Sequence, residues 1–226
     1  MVYGSEYFKS HCGPIPYTRE HPHWLSFFSG IAERIVASLA PKRVLDAGCA
    51  MGFLVEMLRD RGVEAYGLDV SEYAIAQVRP DIAPYCKVAA LEEPIAGKFD
   101  LITCIEVLEH LTEEQARAAI LNMSRATDTI LFSSTPSDFD EPTHVNVKPE
   151  AWWLELFAEV HFVPDRSYDA RFLTPHAMLL RQEEPASEQK TADLLADLTA
   201  RYDQLGETVR AQAVRLEGLE SRLEQA

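Results

Sequence analysis

A chain of 226 residues is long enough for one ordinary domain and an appendage, and 47% hydrophobic residues are enough to fill a core. The formal charge of −15 argues against a broad interface with a phosphate backbone, which needs clustered Lys and Arg. The four cysteines, Cys12, Cys49, Cys86 and Cys104, are far apart and form no CxxC. They are read as reduced, mostly buried thiols of a cytosolic protein rather than as disulfides or a metal set. The first residues, MVYGSEYFKS, lack an apolar leader, and no apolar run approaches the ~20 residues that span a bilayer.

Residues 1–22 are rich in Tyr, Gly, Pro and His, with Gly13, Pro14 and Pro16 as helix breakers. They predict an irregular arm able to fold over a site. In residues 23–40, Trp24, Phe27, Phe28, Ile31, Ile35 and Leu39 fall at near-helical spacing, predicting a core-packed helix that Pro41 ends. Residues 43–52, RVLDAGCAMG, read as a buried strand ending in Asp46, a small-residue turn and the start of a helix over 53–61 closed by Gly62. A second strand ends in Asp69, and Ser71 is placed to cap the helix after it. Further strands are expected at 85–89, 99–105 and 129–133, with a largely helical stretch after Ile105 that restarts at Thr112. Strands alternating with helices predict a parallel, doubly wound α/β sheet, whose ligands bind beyond the C-terminal strand ends.

Residues 134–149, STPSDFDEPTHVNVKP, form a polar loop long enough to expect a function of it. A helix carrying Trp152 and Trp153 follows over 151–159, with one of the two indoles expected in the core. Two closing strands, near 161–163 and 176–181, are read as antiparallel or hairpin-like. The chain thus divides into an arm and cap helix (1–42), a nucleotide-binding domain (43–182), a charged linker (183–192) and a tail (193–226). In the tail Leu195, Leu198, Tyr202, Leu205, Val209, Leu216, Leu219 and Leu223 follow a heptad pattern. A coiled coil is expected there, joining copies of the chain or a partner protein.

No G-x-x-x-x-G-K-[ST] loop is present, and the turn reads Gly48-x-Ala50-x-Gly52 followed at once by Phe53, not G-x-G-x-x-G. An acid just before the turn, Asp46, would repel a pyrophosphate but suits a cationic amino group. Asp69 can accept from ribose hydroxyls. The three ordered motifs VLDAGCAMG, YGLDVS and FDLITCIEVLEHL resemble those of the class I S-adenosylmethionine-dependent methyltransferases.

That resemblance implies a seven-stranded Rossmann-like sheet of order 3-2-1-4-5-7-6 and S-adenosylmethionine as cofactor. Gly48, Cys49 and Gly52 would line the methionine moiety, with Asp46 helping to hold the turn. Asp69 would take the ribose hydroxyls. Val70 would pack on the adenine, with Ala90 and Leu91 on its other face, and Ile105 and Glu106 would lie beside the methionine end. Many relatives carry an acid near Ala90 for the adenine amino group. Here Glu92 or a main-chain carbonyl is left to replace it. Cys49 is read as packing rather than as a nucleophile.

For the acceptor, the arm and the loop after the fifth strand are the expected walls. His144 is the candidate general base, since its ordinary pKa lies near neutrality, with a structural or substrate-binding role as the alternative. The loop acids Asp138, Asp140 and Glu141 are read as solvated rather than as a Mg²⁺ site, and no metal is assigned. His110 is read as shaping the site mouth. Tyr3, Tyr7, Phe8 and Tyr17 are candidates to cap the cofactor or to stack on a sugar ring. The YF-containing arm, EVLEHL and PTHVNVKPEAWW look like methyltransferases of bacterial glycan assembly, which implies a sugar hydroxyl as acceptor and a place at the membrane periphery. Two alternatives stay open: a quinone- or phenol-type small-molecule O-methyltransferase, and a non-catalytic scaffold working through the coiled coil.

Overall fold

The computed structural model of the protein describes residues 3–13, 15–183 and 206. Seven strands form one sheet: β1 (Arg43–Ala47), β2 (Glu64–Asp69), β3 (Cys86–Val88), β4 (Leu101–Ile105), β5 (Thr129–Ser133), β6 (Phe162–Pro164) and β7 (Met178–Gln182), in the order β3-β2-β1-β4-β5-β7-β6. The first five pair in parallel, with Leu45 opposite Tyr66 on one side and Ile102 on the other. β7 runs antiparallel to β5 and β6. The central strands are near-continuous apolar runs because helices cover both faces of the sheet.

Among the described residues, six α-helices pack with the sheet: α1 (Ser5–Ser10), α2 (Pro22–Leu39), α3 (Phe53–Arg59), α4 (Glu72–Ile75), α5 (Glu113–Ser124) and α6 (Glu150–Ala158). Pro22 stands at the first helical position of α2, and Ala40 ends it in the left-handed region (φ +45°) before Pro41. Thr112 and Gln115 close a reciprocal capping box on α5. One apolar layer gathers Ile120, Phe132, Trp153, Phe157 and Phe162; the other gathers Ile31, Ile35, Leu54, Leu58 and Leu131. Trp153 is the buried indole and packs edge-on to Phe132, whereas Trp152 lies under the Lys148 ammonium.

The arm departs from the irregular expectation. Its residues 5–10 are helical, and Phe8 is buried against Tyr17 and Tyr73. A six-residue helix has no stability of its own, so this one exists because of its packing partners. Arm and cap helix therefore belong to the same unit as the sheet, which runs from Met1 to Glu183. Smaller corrections fall at element ends: α3 stops at Arg59, ahead of Gly62, and β4 begins at Leu101. Phe99 makes only a single bridge to Thr127. The expected linker beyond Glu183 and the heptad tail lie outside the described residues, Gly206 excepted. No helix among the described residues is long and apolar enough to cross a membrane.

Candidate active site

The turn between β1 and α3 is held by main-chain bonds to the next strand. The N–H groups of Gly48 and Cys49 both donate to the Leu68 carbonyl, at 2.8 and 2.9 Å. Asp69 clamps the turn from the side, accepting from Ala50 N–H at 2.8 Å and from Ser71 N–H at 2.7 Å. The expectation that Asp46 holds the turn is therefore corrected. Asp46 instead accepts from the Thr103 hydroxyl at 2.7 Å and is only 5% exposed. Burial pushes its carboxyl up to about 7, against the pull of the Thr103 bond and with a push from Asp69. Burial raises Asp69 as well, opposed by its bonds to the Ser71 and Ala50 amides.

Gly48 sits at φ +86°, and a Cβ there would lie 2.3 Å from a Val107 methyl. Glycine is required twice over, for its backbone conformation and for the close approach of β4's exit loop. Gly52, at φ +71°, caps α3 and faces Val78 and Cys86 behind the turn. It is not among the residues that line the cavity described next, and it aims the helix.

At the C-terminal strand ends lies a cavity of about 530 Å³. Asp46, Gly48, Cys49, Asp69 and Val70 line its β1–β2 half, with Ala90, Leu91 and Glu92 beyond them. The Cys49 thiol is buried, and its shared hydrogen bond with the Cys86 thiol and its burial hold it well above the usual thiol range, which fits packing. Glu92 accepts from the Gln115 amide at 2.7 Å, and the Leu91 carbonyl from Asn122 at 3.0 Å. Ile105 and Glu106 line the β4 end. Glu106 is held at φ +52° and paired with His176 at 3.0 Å, a strained non-glycine conformation at the mouth of a strand.

The other half of the cavity has aromatic walls and two imidazoles. His144 lies only 4.6 Å from His110, ring centre to ring centre. In the neutral form, His144 Nδ1–H donates to the Asp138 carbonyl at 2.9 Å, which leaves Nε2 without a proton. His110 Nδ1 is likewise turned to the Thr143 carbonyl (3.3 Å) and hydroxyl (3.1 Å), and its Nε2 lies 3.4 Å from the Tyr7 hydroxyl. Burial, helped by His144, pushes His110 down to about 4, so it is neutral at physiological pH. His110 thus stands beside His144 in the cavity lining.

The fully buried Glu109 joins these parts. Its carbonyl accepts from Val145 and Asn146 N–H, and its carboxyl from Thr135 N–H at 3.3 Å, which fixes the loop carrying His144. The arm closes the cavity from above. Ser71 donates to the Tyr3 carbonyl at 2.6 Å, and His11 pairs with Glu141 at 3.0 Å. Both Tyr3 and Tyr7 pack edge-on to His110. Among the described residues, no group of three or more His, Cys, Asp or Glu is arranged to hold a metal ion.

A family model described as a methyltransferase domain matches residues 19–174. The chain belongs to this methyltransferase family. S-adenosylmethionine is the cofactor of such domains, and the buried acid, small turn and second-strand acid form a pocket suited to it. The chain is 35% identical over 112 residues to a ubiquinone biosynthesis O-methyltransferase of Aromatoleum aromaticum, a match over 46% of this chain and 48% of that one. It is 27% identical over 171 residues to the enzyme of the same description from Idiomarina loihiensis, covering 70% and 67%. The chain thus spans about half of the first relative's length and two thirds of the second's. Among solved structures, magnesium protoporphyrin IX methyltransferase from Synechocystis superposes with a TM-score of 0.58 at 21% identity, over 79% of this chain and 95% of that one. The methyltransferase domain of bacterial CtHen1-C gives 0.53 at 20%, over 71% and 100%. These two likenesses establish the class I fold of the methyltransferase.

Several lining residues have no signal in the motifs. Phe27 and Phe28 come from a helix whose spacing reads as core, and Thr174 precedes β7 by only a few residues. His176, the partner of Glu106, arrives from 70 residues away. A lone His or Thr in a closing loop carries no periodic pattern that marks it.

Proposed function

We propose that the protein transfers a methyl group to a phenolic hydroxyl of a small, quinol-type aromatic acceptor. The observation that carries this reading is the acceptor half of the cavity: aromatic walls from the arm and α2 around two imidazoles whose Nε2 atoms are free of protons in the neutral rings. The curated relatives described as ubiquinone biosynthesis O-methyltransferases support the same substrate class.

Bound in the cavity, S-adenosylmethionine supplies a methyl group activated by a positively charged sulfur. Asp46 would face the cationic amino group and Asp69 the ribose hydroxyls. Val70 would cover one face of the adenine, Ala90 and Leu91 the other, with Glu92 toward its amino group. Gly48, Cys49 and Ile105 leave room for the methionine chain, and Glu106 flanks it. The aromatic arm excludes water and orients the acceptor ring, which is the main catalytic contribution available to such a site. His144 takes the hydroxyl proton on Nε2 while the Asp138 carbonyl holds its tautomer. His110, neutral beside it, orients the hydroxyl or relays the proton.

A sugar hydroxyl fits less well. Its recognition needs many polar side chains around the ring, and the acceptor half offers mainly aromatic faces. The heptads that also supported a glycan-assembly role, and an oligomer or partner through a coiled coil, lie outside the described residues. The experiment is methyl transfer from labelled S-adenosylmethionine to a panel of catechols, phenols, amines and oligosaccharides. Labelled O-methyl catechol is expected, with His144→Gln lowering kcat by about 10²-fold and leaving cofactor affinity unchanged. Transfer to oligosaccharides alone would overturn the reading, and a fully active His144→Gln would remove the base assignment.

A further inference from the structure

Glu109 is an acid buried without a cation. It is inaccessible to solvent, and among the described residues no Lys, Arg or His pairs with it. His110, next in the chain, turns to Thr143 and Tyr7 instead. One carboxyl oxygen, Oε1, accepts from Thr135 N–H at 3.3 Å. The other, Oε2, is buried, and no donor in the protein reaches it. A lone carboxylate is costly in such a place, and a bound proton is the ordinary relief.

The group that faces Glu109 is itself an acid. The Glu106 carboxyl lies within hydrogen-bond reach, and the other titratable neighbour is the Cys104 thiol, which burial keeps neutral. Two adjacent carboxyls do not both ionise unless a cation stands between them. Among the described residues no third His, Cys, Asp or Glu completes a metal site with them. A shared proton remains, and its place follows from the surroundings. Glu106 is partly exposed and faces His176 at 3.0 Å, so it takes the charge. Burial and the neighbouring Glu106 hold the Glu109 carboxyl well above the usual carboxylate range.

Glu106 needs support from more than one side. Its backbone is left-handed, at φ +52°, a conformation that a non-glycine residue keeps only where its surroundings fix it. Glu109 also acts through its main chain: its carbonyl accepts from Val145 and Asn146 N–H at 2.9 and 3.0 Å, next to His144.

We propose that Glu109 is a positioning residue that serves both halves of the cavity: as a neutral acid it donates Oε2–H to the Glu106 carboxylate at the cofactor end, while its main chain holds the loop that carries His144. This rests on the reading above that Glu106 flanks the methionine chain and His144 is the base.

Glu109→Gln tests it in the full chain, because Gln keeps an oxygen for Thr135 N–H and supplies an N–H to Glu106. The infrared C=O band of a protonated carboxylic acid is compared between wild type and Glu109→Gln at pH 8, where Asp46 is mostly ionised. Wild type is expected to show this band with or without a chelator, and Glu109→Gln to lack it. With 4-methylcatechol as acceptor, Glu109→Gln should keep kcat within about threefold of wild type, whereas Glu109→Ala should lose at least about tenfold in kcat and about threefold in affinity for S-adenosylhomocysteine. His144→Gln, by contrast, should change kcat alone. Three results overturn the proposal: no band that distinguishes wild type from Glu109→Gln, a band that appears only after a chelator removes a divalent cation, or a loss of more than about tenfold in kcat for Glu109→Gln. If the band and the cofactor affinities behave as expected but the catechol is not methylated, the positioning of Glu106 stands and the phenol-methylating reading falls.

Discussion

Cofactor affinity should depend on pH through one carboxyl group. Asp46 is 5% exposed, and its burial raises its pKa to about 7 in the ligand-free protein. A cationic amino group placed against it favours the ionised form, so binding releases a proton whenever Asp46 starts protonated. Between pH 7.5 and 5.5 the affinity for S-adenosylhomocysteine should fall by roughly 25-fold, since each pH unit below the pKa costs a factor of ten. Calorimetry in two buffers of different ionisation enthalpy reads both the affinity and the proton released. Asp46→Asn keeps an oxygen for the Thr103 hydroxyl and should bind weakly with a flat profile. The same group should act on stability with the opposite sense. A carboxyl raised from about 4 to about 7 on folding favours the folded state fully below pH 4, and that advantage, ~4 kcal/mol, is lost as the pH rises to 7. Asp46→Asn should therefore stabilise the ligand-free protein at pH 8. A flat wild-type affinity between pH 5.5 and 7.5, or an Asp46→Asn profile as steep as wild type, would refute the argument.

Two further outcomes concern the scaffold of the site. Gly48→Ala forces a left-handed alanine and a methyl 2.3 Å from Val107. It should cost about 2–4 kcal/mol in urea unfolding and abolish cofactor binding, and a variant that binds normally would show that β4's exit loop yields freely. Arg79→Ala leaves the buried Glu56, now held at 2.9 Å by Arg79 and at 2.6 Å by Arg19, with one partner of two. A loss of about 2–3 kcal/mol is expected from thermal or urea unfolding, whereas Arg171→Ala, which breaks an exposed pair with Asp169, should leave the melting temperature unchanged.

The residues that make the sheet were legible because their signals are local. Apolar runs ending in Asp46, Asp69 and Ile105 specify strands buried on both faces, and Ser71 and Thr112 mark helix starts through hydrogen bonds within three residues. The two closing strands could be placed only approximately, since β6 has three residues and no alternation. The turn was recognisable as a ligand site, but its supports were not. Asp69 rather than Asp46 clamps it, because the register of β2 beside β1 brings that carboxylate to the Ala50 amide, and register is a property of the folded sheet.

The chain by itself determined the strand–turn–helix logic, the order of strands and helices, and the acid that ends each of the first two strands. Those features repeat at short spacing and follow from burial and backbone chemistry. Tertiary structure alone decided what surrounds the acceptor. It turned six residues of an apparently irregular arm into a helix by giving Phe8 a place to be buried, and it brought Tyr7 to His110 across 103 positions. It set His110 beside His144 by hanging the intervening loop on Glu109. Contacts between residues so far apart in the chain depend on how the layers pack, and no local spacing records them.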